Sequence, residues 1–261
     1  MKIENAPLEL ELIENFELLV QGAKHKVDVR TVRQMLDVVY DPLMARRMDF
    51  HKPLYYMFRD VKRQEDSALL ENSSIRYDIT VVPPIMIGQE YNKTYGHYHE
   101  LATQKLTYPE LYEVLYGEAL YVVQLRQSTV SNEVLKVYLV HAKAGEKVLI
   151  PPNFGHVTIN PSKTEPLVMA NLVEAKFRSE YILYRQKKGA AMYVLEHEKL
   201  KNRNYHQFPF EEVEAKQFDR MVNPVIGTKI EEGNIYQHFL NDPKLFDFLK
   251  DPKLVEFRVP K

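Results

Sequence analysis

The sequence contains no cysteine and no tryptophan among its 261 residues. Without cysteine the chain can form no disulfide, and thiolate zinc sites, iron–sulfur clusters and cysteine nucleophiles are excluded as well. Any metal must therefore be bound by nitrogen and oxygen ligands. The nine histidines are the first candidates.

Neither sign of charge dominates the chain. Lys and Arg together number 35 against 36 for Asp and Glu, so the formal net charge is −1. This balance argues against a chain that coats nucleic acid or an anionic membrane, although a local basic patch would not show in the sum. The sequence therefore predicts a small-molecule partner, and neither nucleic acid nor a membrane.

Long hydrophobic runs are also missing. No apolar stretch approaches the roughly 18 residues of a membrane span. The first residues carry acids through their apolar run, unlike the basic, apolar and small-residue blocks of a signal peptide. We therefore expect a cytoplasmic protein.

Short β-strands are the main signal in the middle of the chain. From about residue 75 to 184, β-branched and aromatic runs recur with turn residues between them. Many short strands in about a hundred residues are typical of a β-sandwich or a jelly-roll barrel. The runs cover residues 78–82, 111–125, 135–141, 146–150, 157–159, 167–173 and 181–184.

Helix signals precede this region. Thr31 and Gln34 have the spacing of a capping box ahead of an apolar run, which predicts a helix over about 31–40. The Asp-Pro pair at 41–42 places an N-cap residue before a proline at the first helical position. A second short helix is therefore expected through Arg46.

Other helix signals lie on both sides of the strands. The charged, turn-poor residues 60–73 are expected to form an exposed helix or a mobile connection. Helices are also expected over 211–221 and 234–240, and Asp-Pro pairs recur at 242 and 251.

These signals predict a mainly β protein in three parts. An N-terminal strand and helices in 1–74 would pack on a barrel formed by 75–185. Residues 186–261 would add a helical C-terminal extension.

The segment around His97 and His99 carries the clearest chemical signal. Histidines at i and i+2 of a strand lie on the same face, so both imidazoles can point into one cavity. Glu110 heads the next predicted strand and could join them. Tyr112 would share its face, whereas Glu113 would point the other way.

A third histidine, His156, follows the rigid turn Pro151-Pro152. Three imidazoles and one carboxylate suit Fe(II), Mn(II), Ni(II) or Zn(II), and leave positions open for substrate oxygens. These ligand types alone do not select one metal.

The spacing of three residue pairs resembles the paired motifs of the cupin superfamily. The pairs are Glu110 with Gly117, Gly145 with Pro151, and His156 with Asn160. The gap between His99 and Glu110 is longer than in those motifs. Residues 100–109 are therefore expected to form an excursion from the barrel.

Within the cupins, the sequence most resembles the metal-dependent glucose-6-phosphate isomerases first known from archaea. Their pattern Thr-x-Gly-His-x-His is present at 94–99, Glu-x-Tyr at 110–112, and Pro-Pro-x-x-x-His-x-x-x-Asn at 151–160. Thr80 upstream also looks like that family. The resemblance covers about 20–185.

The resemblance implies a jelly-roll barrel and, because cupins commonly pair, a homodimer. It also implies interconversion of glucose 6-phosphate and fructose 6-phosphate in glycolysis and gluconeogenesis. It implies one divalent metal ion per subunit, Fe(II) before Mn(II), Ni(II) or Zn(II), with the ligands His97, His99, Glu110 and His156. It also implies that the catalytic residues are Glu110, Tyr112 and Tyr181. The residues implied to contact the substrate phosphate are Thr80, Thr94 and Gly96.

This chemistry agrees with the residue types. Aldose–ketose isomerisation moves a hydrogen between C1 and C2, and a metal that binds both oxygens can polarise the carbonyl. A carboxylate such as Glu110 could shuttle the proton. A direct hydride shift is the open alternative.

The sequence departs from the family pattern at two places. The family has a tyrosine near the last core strands and, after it, a His-Asp-Tyr triplet. Of these residues only the tyrosine of the triplet is present here, as Tyr181. The family's basic residue in the phosphate loop is replaced by Tyr95. Our hypothesis is that Lys93 or Arg178 supplies the cationic contact instead.

Other interpretations stay open. The same ligand set could serve an Fe(II) dioxygenase, because fold does not determine function. A non-catalytic sugar-binding cupin is a further alternative. Six histidines lack partners at ligand spacing and are interpreted as structural or exposed: His25, His51, His141, His197, His206 and His238.

Overall fold

The computed structural model of this chain describes residues 1–4, 6–128 and 131–258. Short strands make up most of its regular structure. In chain order they are β1 (Leu10–Leu12), β2 (Leu18–Val20), β3 (Ala23–Lys24), β4 (Val27–Thr31), β5 (Pro53–Phe58), β6 (Ile75–Val82), β7 (Met86–Ile87), β8 (Glu90–Tyr91), β9 (Tyr98–His99), β10 (Glu110–Tyr116), β11 (Glu118–Arg126), β12 (Val134–Lys143), β13 (Lys147–Ile150), β14 (Phe154–Ile159), β15 (Leu167–Glu174), β16 (Ser179–Glu180), β17 (Met192–Val194), β18 (Lys199–Lys201) and β19 (Phe210–Glu214).

The helices are short. The α-helices are α1 (Val32–Met35), α2 (Pro42–Ala45), α3 (Ser67–Ser73), α4 (Ile182–Gln186), α5 (Ala215–Val222), α6 (Pro224–Lys229) and α7 (Ile235–Asn241). Short 3₁₀ segments cover Glu14–Phe16, Gln64–Asp66, Pro243–Leu249 and Pro252–Leu254. Among the described residues, no helix has the length and apolar character needed to cross a bilayer.

Two large sheets form the body of the protein. The first has the strand order β13-β10-β15-β6-β5-β4, and the second β14-β11-β12-β19. Their side chains meet where the ring of Tyr112 in β10 contacts that of Tyr121 in β11, with centroids 5.5 Å apart. Hydrogen bonds between strands do not close the two sheets into one continuous barrel within the described residues. The mainly β, cupin-type fold predicted from the sequence is nevertheless confirmed.

Both flanks contribute strands to these sheets. β4 and β5 extend the first sheet beyond β6. β19 joins the second sheet as a parallel neighbour of β12, with Val213 opposite Val140. The division of the chain into 1–74, 75–185 and 186–261 therefore remains a prediction. The two large sheets contain strands from all three parts.

The N-terminal helix signals are confirmed in part. Thr31 and Gln34 form the capping box, but α1 ends at Met35 rather than near residue 40. The chain must leave the helical region before Asp41, because a residue that precedes proline is held in an extended conformation. Asp41 then caps α2 as expected, and its carboxylate accepts two backbone N–H bonds from the first turn.

Two expected helices elsewhere are also present. Within residues 60–73, the 3₁₀ segment Gln64–Asp66 leads directly into α3, so the helical alternative is the correct one for most of that segment. α7 begins at Ile235, and its N-cap residue Asn234 accepts a hydrogen bond from the N–H of Gln237 at 2.8 Å.

Two predictions in the second half of the chain are wrong. The run 181–184 is not a strand, since α4 begins at Ile182. Leu183 is buried but Ile182 is 61% exposed, and so short an apolar run fits either conformation. Residues 211–214 lie in β19, where pairing with β12 overrides the helix preference of glutamate. The helix α5 starts only at Ala215.

The predicted run 111–125 folds as two strands, because the chain reverses at Gly117. This residue has φ +80°, and a Cβ there would lie 2.6 Å from the carbonyl oxygen of Pro166. Only glycine adopts that conformation and approach without strain.

Buried polar side chains join the C-terminal helices to the first sheet. Glu113 accepts a hydrogen bond from the N–H of Ile235 at 2.8 Å. Nζ of Lys147 lies 3.8 Å from the Glu113 carboxylate and donates to two carbonyls of the loop before α7. Asp219 in α5 accepts a 2.7 Å bond from the N–H of Leu149. The extension is therefore anchored through groups that lie in the protein interior.

We expect Glu113→Gln to flatten the pH dependence of folding stability. Burial raises the pKa of Glu113 from 4.5 to about 7, although the N–H of Ile235 and the charge of Lys147 oppose the change. Between pH 4.5 and about 7, Glu113 stays protonated in the folded protein, whereas the unfolded chain has released that proton. The stabilisation is thus fully present below the unfolded pKa and is lost as the pH rises through about 7, by about 3 kcal/mol for a shift of this size.

Thermal unfolding of the metal-free protein at about pH 5 and about pH 8 measures this dependence. Glu118→Gln, on the exposed first residue of β11, is the matched control. A pH dependence as steep in Glu113→Gln as in the unaltered protein would contradict the assignment.

Candidate metal centre and active-site cavity

Four side chains converge between the two sheets: His97, His99, Glu110 and His156. Their potential ligand atoms all lie within 4.8 Å of one another. Nε2 of His99 and Nε2 of His156 are 3.2 and 3.3 Å from Oε2 of Glu110, and Nε2 of His97 is 4.0 Å from the same oxygen. The structure thus brings together all four residues that the sequence suggested as ligands.

Backbone pairing places the histidines. The N–H of His97 donates to the carbonyl of His156 at 3.2 Å, and the reverse bond measures 3.1 Å. The segment that leads into β9 therefore runs beside β14. Glu110 comes from the first sheet, where it is the first residue of β10 and lies opposite Ile150. The four ligands thus span a contact between elements that are far apart in sequence.

Neighbouring polar groups orient two of these side chains. Nδ1 of His99 lies 2.7 Å from the carbonyl oxygen of Tyr108, so this nitrogen must carry the proton and Nε2 is left to face Glu110. Asn171 donates a 2.7 Å hydrogen bond to Oε1 of Glu110, which leaves Oε2 toward the histidines. Contacts of this kind hold metal ligands in position. The excursion over 100–109 therefore has a structural role, since it supplies the Tyr108 carbonyl.

The surroundings of Oε2 of Glu110 test whether a metal fits this site. This atom is buried and has no hydrogen-bond partner among the described residues. Burial, with repulsion from His156 and His99, lowers the pKa of His97 well below its usual value, so its ring is neutral and offers a lone pair. A buried carboxylate oxygen without a donor is unfavourable. A divalent cation would satisfy it, and the nitrogen and oxygen donors are of the right type.

The protonation state of the other ligands agrees with this. Burial would raise the pKa of Glu110, but contacts with His156 and His99 outweigh it and hold that pKa well below its ordinary range. Burial also lowers the pKa of His156. An ionised Glu110 and a neutral His156 are the protonation states in which these two groups bind a metal.

The ligand cluster opens on a cavity of about 250 Å³. His99 and His156 lie behind the cavity wall, with side chains only 1% exposed. A substrate could therefore reach one side of the metal site only. The cavity is lined by all the residues to which the resemblance assigns phosphate binding or catalysis, namely Thr80, Thr94, Gly96, Glu110, Tyr112 and Tyr181.

Gly96 and Tyr181 both line this cavity, and their surroundings hold them in place. Gly96 has φ +83°, and a Cβ there would overlap Val157 and come within 2.7 Å of the Tyr184 ring. The ring of Tyr181 packs edge-on against that of Tyr95, with centroids 5.3 Å apart. Tyr181 immediately precedes α4, so the helix start holds it beside the cavity.

The hypothesis about the cationic contact is wrong for Lys93. Its ammonium is buried and forms an ion pair with Glu90, away from the cavity. Arg178 is exposed and does not line the cavity either. The arginines that do line it are Arg59 and Arg76.

Arg59 and Arg76 share one buried carboxylate, Asp78, at 2.7 and 2.8 Å. Sequence reasoning missed all three residues. A signal was present, because Arg76, Asp78 and Thr80 occupy alternate positions of β6 and mark one polar face of an otherwise apolar strand. Asn171 lies opposite Asp78 in the neighbouring strand β15 and extends the same face.

Comparison with known families identifies the chain. The family model described as glucose-6-phosphate isomerase (GPI) matches residues 29–210, which is more than half of the sequence. The chain belongs to this family. The matched region contains the four candidate ligands and every strand that lines the cavity. The resemblance to cupin-type glucose-6-phosphate isomerases is thereby confirmed, and the family is one of isomerases.

Several solved structures match part of this chain. An oxalate oxidase is 16% identical, with 49% of this chain and 55% of that chain covered, at a TM-score of 0.36. An oxalate decarboxylase variant from B. subtilis is 12% identical, with 48% and 26% covered, at 0.33. Vicilin from Capsicum annuum is 11% identical, with 48% and 30% covered, at 0.32. Each match spans less than two thirds of the solved chain. No curated protein matches the sequence.

Proposed function

We propose that this protein interconverts glucose 6-phosphate and fructose 6-phosphate at one divalent metal ion per subunit. The observation that carries the proposal is the buried ligand cluster, which opens on a cavity lined by the residues suited to the sugar and its phosphate. Membership of the isomerase family supports the same reaction. We propose Fe(II) as the native metal, with Mn(II), Ni(II) and Zn(II) as alternatives that the same ligands accept.

Glu110 is the residue to which we assign proton transfer between C1 and C2 of the open-chain sugar. A divalent metal, when bound, would act as a Lewis acid toward the sugar oxygens. Glu110 lines the cavity, and Asn171 fixes the direction of its carboxylate. A positioned carboxylate is a competent general base and acid for such a step. Tyr112 would orient the sugar, since its hydroxyl lies 3.0 Å from Nε2 of His156 at the same wall.

A second group of lining residues is suited to the phosphate. The hydroxyl oxygen of Thr94 accepts a 3.0 Å hydrogen bond from the N–H of Thr158, which leaves its proton free to donate to a phosphate oxygen. Thr80 and the backbone at Gly96 line the same space. Tyr181 is the tyrosine that we assign to ring opening, because it is the hydroxyl-bearing residue carried over from the family pattern.

Metal reconstitution tests the proposal. The protein is stripped with a chelator, loaded separately with Fe(II), Mn(II), Ni(II) or Zn(II), and assayed for conversion of fructose 6-phosphate in a coupled assay for glucose 6-phosphate. We expect no turnover without metal and restored turnover with at least one ion. Restored metal binding without turnover for any ion would refute the isomerase assignment. Oxygen consumption by the iron-loaded protein would instead indicate the dioxygenase alternative.

The setting of this activity is also part of the proposal. We propose a homodimer in the cytoplasm that acts in glycolysis and gluconeogenesis, as the resemblance to cupin-type isomerases implies. The mass of the protein in solution, measured by light scattering, tests the dimer.

A further inference from the structure

Arg30 in β4 is a partly buried cation that forms no ion pair with any of the residues that the structure describes. Its Nε is buried and has no hydrogen-bond partner among the described residues. The groups that act on its charge are the hydroxyls of Tyr55, Tyr95 and Tyr181, of which Tyr55 also forms a hydrogen bond with it, and no carboxylate is among them. A buried guanidinium N–H without an acceptor is unfavourable, and an anion nearby would offset the positive charge that no carboxylate neutralises.

The three tyrosines around Arg30 all line the active-site cavity. The guanidinium carbon lies 5.6 Å from the ring centroids of both Tyr95 and Tyr181. Tyr55 is the direct cross-strand neighbour of Arg30 in β5. Arg30 is therefore one layer behind the cavity wall and is separated from the cavity by these rings.

The hydroxyl of Tyr55 connects Arg30 to the wall that holds Thr94 and Gly96. The N–H of Tyr95, which lies between those two residues, donates to this hydroxyl at 3.3 Å. The hydroxyl accepts at this point and keeps its own proton for a further partner. A cation placed beside a hydroxyl polarises it and makes it a stronger donor.

Arg59 and Arg76, unlike Arg30, have a carboxylate partner. Both are already paired with the buried carboxylate of Asp78, so part of their charge is neutralised inside the protein. Arg30 is the arginine near the cavity whose charge the described residues leave uncompensated.

We propose that Arg30 is the positioning residue for the substrate's phosphoryl group, and that it acts through the Tyr55 hydroxyl on an anion held at Thr94 and Gly96. This inference rests on the proposed function, because it takes the phosphoryl group of a sugar phosphate as the anion. A phosphoryl group carries about −1.5 to −2 charges at neutral pH, which one uncompensated cation behind the wall partly offsets. The alternative is a purely structural stack of a cation on two aromatic rings.

Binding of inorganic phosphate to the metal-free protein tests the inference, because phosphate then has no metal to bind. Arg30→Met is compared with Arg30→Lys, which keeps the charge, and with Arg33→Met, which removes an exposed arginine three residues later in α1. By ³¹P NMR titration we expect Arg30→Met to weaken phosphate binding about 10- to 100-fold, the range for loss of one interaction with a charged group. Arg30→Lys should retain most of the affinity, and Arg33→Met all of it.

Kinetics of the metal-loaded variants separate positioning from structure. We expect Arg30→Met to raise KM for fructose 6-phosphate by a similar factor while kcat stays close to that of the unaltered protein. A loss of kcat with unchanged KM, or unchanged phosphate affinity, would overturn the inference. If Arg30→Met does not fold, Arg30→Gln takes its place, since it removes the charge but keeps a polar side chain. A phosphate affinity of Arg30→Gln equal to that of Arg30→Lys would then overturn the inference.

Arg59→Met tests the competing assignment, in which Arg59 and not Arg30 acts on the phosphate. A larger loss of phosphate affinity in Arg59→Met than in Arg30→Met would place the anion at the Asp78 pair and overturn the role of Arg30. Failure of the isomerase assignment has a different signature. Phosphate binding that depends on Arg30, in a protein without turnover for any metal, would refute the isomerase and leave the anion site intact.

Discussion

His156→Ala is expected to remove most of the bound metal and to lower turnover by more than about 100-fold. Loss of a supporting contact alone lowers metal affinity or activity by about 10- to 100-fold, and His156 is a direct candidate ligand. The protein should still fold, because β14 keeps its pairing with β11 along its whole length. We expect a loss of stability of about 1 to 3 kcal/mol, as for other buried substitutions.

Elemental analysis of the purified variant and its thermal unfolding measure both effects. The matched control is His141→Ala, which removes a histidine from β12 in the same sheet whose side chain is 40% exposed beside Glu212. That control should keep its metal and its activity. Undiminished metal in His156→Ala would contradict the ligand assignment.

Glu110→Gln is expected to lower turnover by about 100- to 10,000-fold, the usual contribution of a positioned general acid or base. The substitution preserves the shape of the side chain and an oxygen that can accept the bond from Asn171. It removes the negative charge beside three imidazoles, and with it the group to which we assign proton transfer. Metal affinity should fall as well, because a neutral amide is a weaker ligand than a carboxylate.

Metal content and kcat must be measured on the same preparation of this variant. Turnover that stays low when metal is added to saturation would support the proton-transfer role, whereas unchanged turnover would exclude it. Glu113→Gln is the matched control, because Glu113 lies on the same strand but faces the helix α7. We expect that variant to isomerise fructose 6-phosphate at the rate of the unaltered protein.

The ligand set could be predicted because its signals are local. His97 and His99 are two residues apart, so the alternation of a strand places both on one face. Glu110 and His156 could be added because their spacing to neighbouring glycine, proline and asparagine residues resembles cupin motifs. The structure then brings all four within 4.8 Å.

The supporting residues could not be predicted in the same way. Asn171 reaches Glu110 only because β15 pairs with β10, and the two residues are 61 positions apart. Tyr108 orients His99 from within a loop whose path no periodicity indicates. Lys93 lies next to Thr94, to which we assign phosphate binding, yet its side chain points to Glu90 instead. The position of a basic residue in the sequence therefore does not predict whether its charge faces the cavity.

The secondary structure shows the same limit. The predictions for 181–184 and 211–214 are wrong because intrinsic preferences are small compared with tertiary contacts, which decide between strand and helix. β19 exists only because β12 offers a free edge in register with it.

The sequence by itself determined the type of site: a chain without cysteine had to use histidine and carboxylate, and three histidines with one glutamate stood at cupin-like spacings. Only the tertiary structure decided what surrounds that site, including the pair of arginines on Asp78 and the uncompensated Arg30. The physical reason is that ligand spacing along a strand is set by the repeat of the backbone. The electrostatic environment of a cavity is set by which distant strands pair and in which register.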